Sequence, residues 1–289
     1  MSSISISRAA QPSIGALNAS IELMPKTVLR TNDLIELLPT GTKIYLPDLD
    51  GDRAGDQLRA AKRLHELGFN PVPHLAARRI HGPAMAHKRA LSLRNEANVT
   101  EVMVIAGDVD GFDVGIASAL KLLETGALDT AGVHRIGVAG HPEGNPVVTD
   151  KVATQALKAK QAFANRSDAR MHIVSQFSFN PQAVIRWSED LQLHGINLPI
   201  HIGIAGPARV STLLKYAATC GVGASASFFS KHSRKLVGLA HGYSPDSIAD
   251  SVSDHLGRCD KCAIERIHVY AFGGLKASSE WLIKRGHWT

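Results

Sequence analysis

Residues 102–106 (VMVIA), 113–124 (DVGIASALKLLE) and 135–139 (RIGVA) form one repeating unit of this sequence. The first and last segments are short apolar runs, typical of buried strands. The middle segment spaces its apolar residues as one face of a helix does. A strand, a helix and a second strand in this order predict a βαβ unit with parallel strands.

The same alternation extends through the rest of the chain. Helical spacing recurs at 56–67 and at 150–165, and strand-like runs recur about every 30 residues. No proline-rich or glycine/serine-rich linker interrupts the series. The eight predicted strands are 17–23, 43–47, 71–75, 102–106, 135–139, 171–176, 200–204 and 267–271.

Eight such units in 289 residues predict a single (β/α)8 TIM barrel in the α/β class. The alternative is an open, doubly wound sheet, but that fold usually carries a Gly-rich phosphate loop, and neither GxGxxG nor a Walker A motif occurs here. We expect a flexible N-terminal segment at 1–14 and one catalytic barrel domain at 15–289.

Composition and charge narrow the class of protein. Hydrophobic residues make up 44% and charged residues 20%, which is typical of a globular chain. No apolar run is long enough for a membrane span, and the N-terminus lacks the apolar core of a signal peptide, so we expect a cytoplasmic protein. The net charge of +6 favours anionic ligands. The basic run 231–235 (KHSRK) lacks interleaved aromatic residues, so no nucleic acid partner is expected.

Three cysteines, Cys220, Cys259 and Cys262, argue against a disulfide framework. Cys259 and Cys262 form a CxxC pair, but one pair supplies only two of the four ligands of a structural zinc site. The histidines do not form HExxH or another metal-ligand spacing. We therefore expect an ordinary pair of thiols and no metal.

Polar residues stand at the predicted carboxyl ends of the strands, where the active site of a barrel lies. Glu22 interrupts an apolar strand, and burial should raise the pKa of its carboxyl and suit it to act as a general acid. Asp108 follows Gly107, which lets a ligand approach the backbone closely. Gln176 can form paired hydrogen bonds with an amide or a heterocycle edge, and His74 ends an apolar strand.

No nucleophile is evident, because there is no GxSxG elbow and no cysteine follows a predicted strand. The pattern favours chemistry carried by a bound organic cofactor, with one acid and a few orienting polar groups from the protein.

Seven motifs, in order along the chain, resemble those of the methylenetetrahydrofolate reductase family. A looser similarity occurs at 268–270 (HVY), and the resemblance covers about residues 17–207. The motifs are SIELMP at 20–25, PHLAAR at 73–78, AGD at 106–108, IGVAGHPE at 136–143, LKAK at 157–160, SQFSFN at 175–180 and PIHIGI at 199–204.

This resemblance implies a barrel that holds FAD and passes a hydride from NADH or NADPH, through the flavin, to 5,10-methylenetetrahydrofolate, giving 5-methyltetrahydrofolate or running in reverse. It implies that Glu22 is the acid, that Asp108 lies near the flavin and the pterin, and that Gln176 orients folate and nicotinamide. The positions that it implies for the flavin site are His74, Ala106, Gly107, Asp108, Ala117, Ser118, His141, Asn145 and Lys160.

The sequence departs from the family pattern at flavin contacts. Ala106 replaces an arginine, Asn145 replaces a histidine, and His141 stands where the family has another contact. One alternative is therefore direct hydride transfer from NAD(P)H to folate without flavin. An alternative of another class is a non-redox folate-binding or methyl-transferring barrel. The choice between NADH and NADPH, the physiological direction and the oligomeric state, a homo-oligomer included, stay open.

Overall fold

Eight parallel strands close into a barrel in the computed structural model, which describes residues 18–48, 54–107, 115–145, 147–220, 222, 237–238, 242–259 and 261–286. The barrel strands are β1 (Asn18–Glu22), β2 (Lys43–Leu46), β3 (Asn70–Ala76), β4 (Glu101–Ile105), β5 (Arg135–Gly140), β6 (Arg170–Ser175), β7 (Ile200–Ala205) and β10 (Ile264–Tyr270). A short antiparallel pair, β8 (Val237–Gly238) and β9 (Gly242–Tyr243), precedes the last of them.

The strands follow one another around the barrel in chain order, and β10 closes it against β1. The predicted TIM barrel is therefore confirmed, with each of the eight expected strands present. The helices are α1 (Pro25–Arg30), α2 (Leu34–Leu37), α3 (Ala54–Glu66), α4 (Pro83–Ala97), α5 (Ala119–Glu124), α6 (Ala127–Thr130), α7 (Asp150–Asn165), α8 (Pro181–Leu193), α9 (Val210–Thr219), α10 (Asp246–Leu256) and α11 (Leu275–Arg285).

Two faces of the strands have different chemistry. The residues that point outward, such as Ile21, Val104 and Ile267, are apolar and form the main core beneath the helices. The residues that point into the barrel include many polar and ionisable groups, among them Glu22, Tyr45 and His172. Because barrel interiors are usually filled by Val, Ile and Leu, this polar interior marks the positions where a function can reside.

Helix α9 contributes to an aromatic cluster at the carboxyl ends of the strands. Its residues Leu213 and Ala217 pack in a cluster with Phe177 and Phe179, which follow β6. The Tyr216 ring stacks on Phe272, which follows β10, with 4.2 Å between ring centroids. The β8–β9 pair adds Tyr243 to the same cluster. Helix α10 packs instead against α8 on the outside of the barrel.

The predicted helices differ in how well they agree with the structure. The helix expected at 150–165 coincides with α7, and the one at 56–67 corresponds to α3. The helix expected at 113–124 is wrong at 115–118, since these residues are not helical and α5 begins only at Ala119, after Ser118 as N-cap. The Ile116 amide donates instead to the carbonyls of Ala77 and Ile80, so tertiary hydrogen bonds hold this segment out of the helix.

Three further expectations concern the N-terminal segment, the basic run and membrane-spanning helices. The predicted segment 1–14 and the basic run 231–235 lie outside the described residues. Within the described residues, no helix has both the length and the hydrophobicity required to cross a bilayer.

Candidate active site

Glu22 is the last residue of β1, and strand pairing sets its neighbours. The register places Glu22 beside Tyr45 of β2 and beside Tyr270 of β10. Its side chain points into the barrel at the carboxyl end of the strands and keeps 20% of its surface exposed. Glu22 therefore lies where a barrel enzyme binds its substrate, as the sequence predicts.

Two histidines face the Glu22 carboxylate. The Oε2 atom of Glu22 lies 3.5 Å from Nε2 of His74 and 3.8 Å from Nε2 of His268. Neither nitrogen has a hydrogen-bond partner within usual distance, although both atoms are buried. Buried polar atoms are nearly always hydrogen-bonded, so this unsatisfied group has capacity for a ligand.

Ser20 orients the His268 ring from below. The Ser20 hydroxyl lies 3.0 Å from Nδ1 of His268, and both residues are fully buried. The same hydroxyl lies 3.4 Å from the Ile267 carbonyl, to which it can donate. The Ser20 hydroxyl therefore fixes the His268 ring, whose Nε2 faces Glu22.

The pKa of Glu22 differs from the sequence-based expectation. Burial raises the pKa of the carboxyl, as expected, but its interactions with His268 and His74 outweigh burial and bring the net pKa below the ordinary value. Burial lowers the pKa of His74. At neutral pH the group therefore consists of a carboxylate beside a neutral His74, and the expected raised pKa is wrong.

An aromatic wall borders this group on one side. Tyr270 contacts the His268 ring edge-on at 4.9 Å and lies parallel to Phe272 at 5.6 Å. Phe177 meets Tyr270 and Phe272 at 5.6 Å and 4.9 Å. The Tyr270 hydroxyl donates to the Ser175 carbonyl, which fixes the ring. Such a wall is suited to the face of a flat heterocycle.

Gln176 follows β6 at the same end of the barrel. Its backbone amide donates to the Gly140 carbonyl, and its side-chain Oε1 accepts from the Phe177 amide at 3.0 Å. Because the amide oxygen is engaged, the NH2 group is the part that can serve a ligand. The backbone around Gln176 packs closely against β7 because residue 203 is a glycine. A Cβ at 203 would lie 2.2 Å from the Ser175 carbonyl and 2.9 Å from the Tyr270 ring.

Three residues assigned to the flavin come from the loop after β5, which holds His141 and Asn145, and from α7, which holds Lys160. Nε2 of His141 accepts from the Asn145 side-chain amide at 3.1 Å, and Asn145 Oδ1 accepts from the Val147 amide. Burial lowers the pKa of Lys160, and burial followed by the charge of Lys160 lowers the pKa of His141. A half-buried ammonium beside a neutral imidazole is suited to bind an anion.

The other residues that the sequence assigns to the flavin site lie farther apart from one another. The carbonyls of Ala106 and Gly107 accept from the backbone amide and the guanidinium of Arg78, so a cation stands at this strand end. Ser118 uses its hydroxyl to cap α5, and Ala117 is exposed. Asp108 lies outside the described residues, so its predicted role near the pterin stays a prediction.

A second polar group occupies the amino end of the barrel interior. Lys43 Nζ lies 2.6 Å from Glu101 Oε2, and the Tyr45 hydroxyl lies 3.0 Å from His172 Nε2 and 3.5 Å from Glu101 Oε1. The His172 ring stacks on His201 at 4.2 Å. We call Lys43, Tyr45, Glu101 and His172 the lower group. A cavity lined by Lys43, Glu101 and Arg135 opens at this end, away from Glu22.

The prediction from sequence missed Ser20 and Tyr45 and did not assign His268 a role. One signal was available, because Ser20 and Glu22 are two residues apart in one strand, and His268 and Tyr270 are two residues apart in another. Polar residues at this spacing share a strand face. The contacts between the two strands, however, depend on the closure of the barrel.

No protein-family model matches the chain. Among solved structures, the barrel is similar to a dihydropteroate synthase from Thermus thermophilus, with 12% identity, 94% of each chain covered and a TM-score of 0.48. It is also similar to a mandelate racemase/muconate lactonizing enzyme from Bordetella bronchiseptica, with 12% identity, 92% of this chain and 55% of that chain covered, and a TM-score of 0.43. Likeness at this level concerns the fold alone, so the function must be argued from the residues.

Proposed function

We propose that the chain catalyses hydride transfer between NADH or NADPH and a reduced folate, interconverting 5,10-methylenetetrahydrofolate and 5-methyltetrahydrofolate. The observation that carries the proposal is the Glu22 carboxylate, held 3.5 Å and 3.8 Å from two unpaired imidazole nitrogens at the carboxyl end of the barrel. A proton-transfer group at this position, beside an aromatic wall, suits a substrate that combines a ring system with a basic nitrogen.

Glu22 is the proton carrier in this proposal. Its pKa is lowered by His268 and His74 against the opposing effect of burial, so the carboxylate is ionised. A flat ligand that covers its exposed fifth would remove water and raise the pKa of the carboxyl toward neutrality. Glu22 takes this proton from solvent as the ligand binds and can then donate it to a ring nitrogen of the folate. In the reverse direction the same oxygen accepts that proton.

The aromatic wall and Gln176 supply orientation. Tyr270 and Phe272 offer a surface against which the pterin can pack, next to Glu22. The free NH2 group of Gln176 can donate to a carbonyl of the pterin or of the nicotinamide. The overall charge of +6 suits both ligands, because dinucleotide phosphates and folate carboxylates are anionic.

The residues fit a bound FAD in part. Lys160, half-buried beside the neutral His141, would hold an anionic group of the cofactor, and Arg78 brings a second cation to the end of β4. When bound, FAD would accept the hydride from the nicotinamide and deliver it to the folate. Ala106 offers no cation of its own, so the affinity for FAD should be lower than with an arginine there, by about 1.5–3 kcal/mol.

One observation favours the flavin-free alternative. Asn145 donates to His141 and accepts from the Val147 amide, so both side chains are engaged within their own loop. In that alternative, nicotinamide and folate lie against each other at the aromatic wall. Glu22 has the same role in both schemes.

The test is an absorbance spectrum of the freshly purified full chain, repeated after adding excess FAD and desalting. NADH and then 5,10-methylenetetrahydrofolate are added under anaerobic conditions. A flavin band that NADH bleaches and the folate restores would support the flavin scheme. A colourless protein that oxidises NADH or NADPH only with the folate present would support direct transfer.

Titration calorimetry with folates completes the test. Folate binding with no oxidation of either nucleotide would favour the binding or methyl-transferring barrel and overturn the proposed redox function. Absence of binding to any reduced folate would overturn the folate assignment itself.

A further inference from the structure

His255, Cys259 and Cys262 form a cluster on the outside of the barrel, far from the chemistry proposed above. One imidazole nitrogen and the two sulfur atoms all lie within 4.8 Å of one another. Both cysteines are free thiols and are partly buried. The sequence identified only the CxxC pair and expected no metal. The fold adds a third ligand from the last turn of α10.

The cluster joins two parts of the fold. His255 belongs to α10, Cys259 lies in the loop after it, and Cys262 directly precedes β10. Glu189 of α8 brings its Oε1 to 3.9 Å from Nδ1 of His255. The same helix also binds this loop through Gln192, whose Nε2 donates to the Lys261 carbonyl at 2.9 Å. These residues lie at the amino end of β10, the end that contributes to stability in barrels.

The donor atoms select the kind of metal. Two thiolates and an imidazole are soft and borderline ligands, which favour Zn²⁺ over Mg²⁺ or Ca²⁺. The three donor atoms, all within 4.8 Å of one another, must converge to reach zinc bonds of about 2.0–2.3 Å. A carboxylate can complete the tetrahedron, and the half-exposed Glu189 side chain has the freedom to turn toward the metal.

We propose that His255, Cys259 and Cys262, with Glu189 as the fourth ligand, form a structural Zn²⁺ site that fastens the α10–β10 loop to α8. The proposal does not depend on the folate reaction. The competing use of a CxxC pair is reversible disulfide formation, which requires a reactive thiolate. A disulfide would use only the two sulfur atoms, whereas here an imidazole nitrogen lies within 4.8 Å of both of them.

The test measures the metal content of the full chain after expression in zinc-supplemented medium and desalting. We expect equimolar zinc in the wild-type protein and in Cys220→Ser, a matched control that removes a cysteine outside the cluster. We expect Cys259→Ser, Cys262→Ser and His255→Asn to lose most of it, and Glu189→Gln to retain zinc with weaker affinity. Replacing zinc by Co²⁺ should give the intense visible bands of a tetrahedral thiolate site.

A second measurement uses the wild-type protein and therefore tests the site even if the variants fail to fold. Chelation of the wild-type protein should lower its thermal unfolding midpoint by several degrees, and Zn²⁺, but not Mg²⁺, should restore it. Substoichiometric zinc without a cobalt spectrum would overturn the proposal. So would a Cys259–Cys262 disulfide in the protein as purified.

Discussion

The barrel interior holds two polar groups that differ in how completely they are paired. In the lower group, Lys43 and Glu101 meet at 2.6 Å, and Tyr45 reaches His172 at 3.0 Å. In the group around Glu22, the distances to His74 and His268 are 3.5 Å and 3.8 Å, and both imidazoles keep an unpaired Nε2. The polar atoms of the lower group are thus paired with one another, whereas the group around Glu22 keeps unpaired nitrogen atoms.

This difference indicates which group serves stability and which serves a ligand. A buried charge is tolerated when a partner and hydrogen bonds compensate for lost hydration, as Lys43 and Glu101 do for each other. Unpaired buried atoms cost stability, and they are retained where they do chemistry. The same residue type, glutamate, should therefore respond differently to the same substitution at its two positions.

Glu22→Gln should have the largest effect on activity. The amide keeps the shape but cannot carry the proton, so turnover should fall by about 10²–10⁴-fold while the dissociation constant for folate changes little. Steady-state kinetics with 5,10-methylenetetrahydrofolate and calorimetry measure the two quantities. Glu101→Gln is the matched control and should turn over almost normally when folded. Unchanged turnover in Glu22→Gln would remove this carboxyl as the proton carrier.

Glu101→Gln should have the largest effect on stability. It leaves the Lys43 ammonium without its counter-charge in the barrel, and breaking such a buried pair costs about 3–5 kcal/mol. Urea unfolding at neutral pH measures the loss. Glu22→Gln should lower the free energy of unfolding clearly less, because the Glu22 carboxylate forms no close ion pair. Equal losses in the two variants would contradict the distinction between the groups.

Acid should destabilise the protein through two histidines of the barrel interior, His172 of the lower group and His201, on which it stacks. Burial lowers the pKa of His172 to about 4 and that of His201 well below its usual value, whereas both titrate near 6.5 when unfolded. Below pH 6.5 the unfolded chain therefore binds more protons than the folded one. Stability present above this pH is lost as the pH falls toward 4, by about 3 kcal/mol for His172 alone.

Urea unfolding across this range measures the slope. His172→Gln should flatten it, and His194→Gln, at an exposed position after α8, should leave it unchanged. A slope that is the same in all three proteins would exclude His172 as its source.

Ser20→Ala should have the smallest effect. Without the hydroxyl, Nδ1 of His268 loses its partner, and the imidazole beside Glu22 loses the contact that fixes its orientation. We expect turnover to fall by about tenfold or less, with a displaced pH profile, since one neutral hydrogen bond contributes about 1 kcal/mol. Ser251→Ala, on α10, serves as the control. A lower rate with an unmoved pH profile would indicate a merely structural role for Ser20.

Much of the fold could be predicted from the sequence because its signals are local. Apolar runs such as 102–106 and the helical spacing of 150–165 predict their elements directly. The helix at 113–124 failed because hydrogen bonds from Ile116 to residues 36 and 39 positions earlier compete with helix formation.

The site was less predictable because its contacts are distant in sequence. Glu22 could be found, since a carboxylate within an apolar strand is conspicuous. The pKa of Glu22 could not be predicted, because the direction of its shift depends on His268. The partner of His268, Ser20, lies 248 positions away in the sequence. Barrel closure brings these residues together, and no local pattern carries that information.

Gly137 of β5 shows how the lower group restricts which residues can replace one another in this barrel. A Cβ at position 137 would lie 2.9 Å from Nε2 of His172 and 2.9 Å from Sδ of Met103, so the imidazole occupies the room that the glycine leaves. A substitution at 137 therefore becomes acceptable only after 172 has become smaller, and that first step removes the closer of the two partners of the Tyr45 hydroxyl. The two positions can change only in one order, so a larger residue at 137 in a related sequence would indicate that the histidine at 172 has been lost.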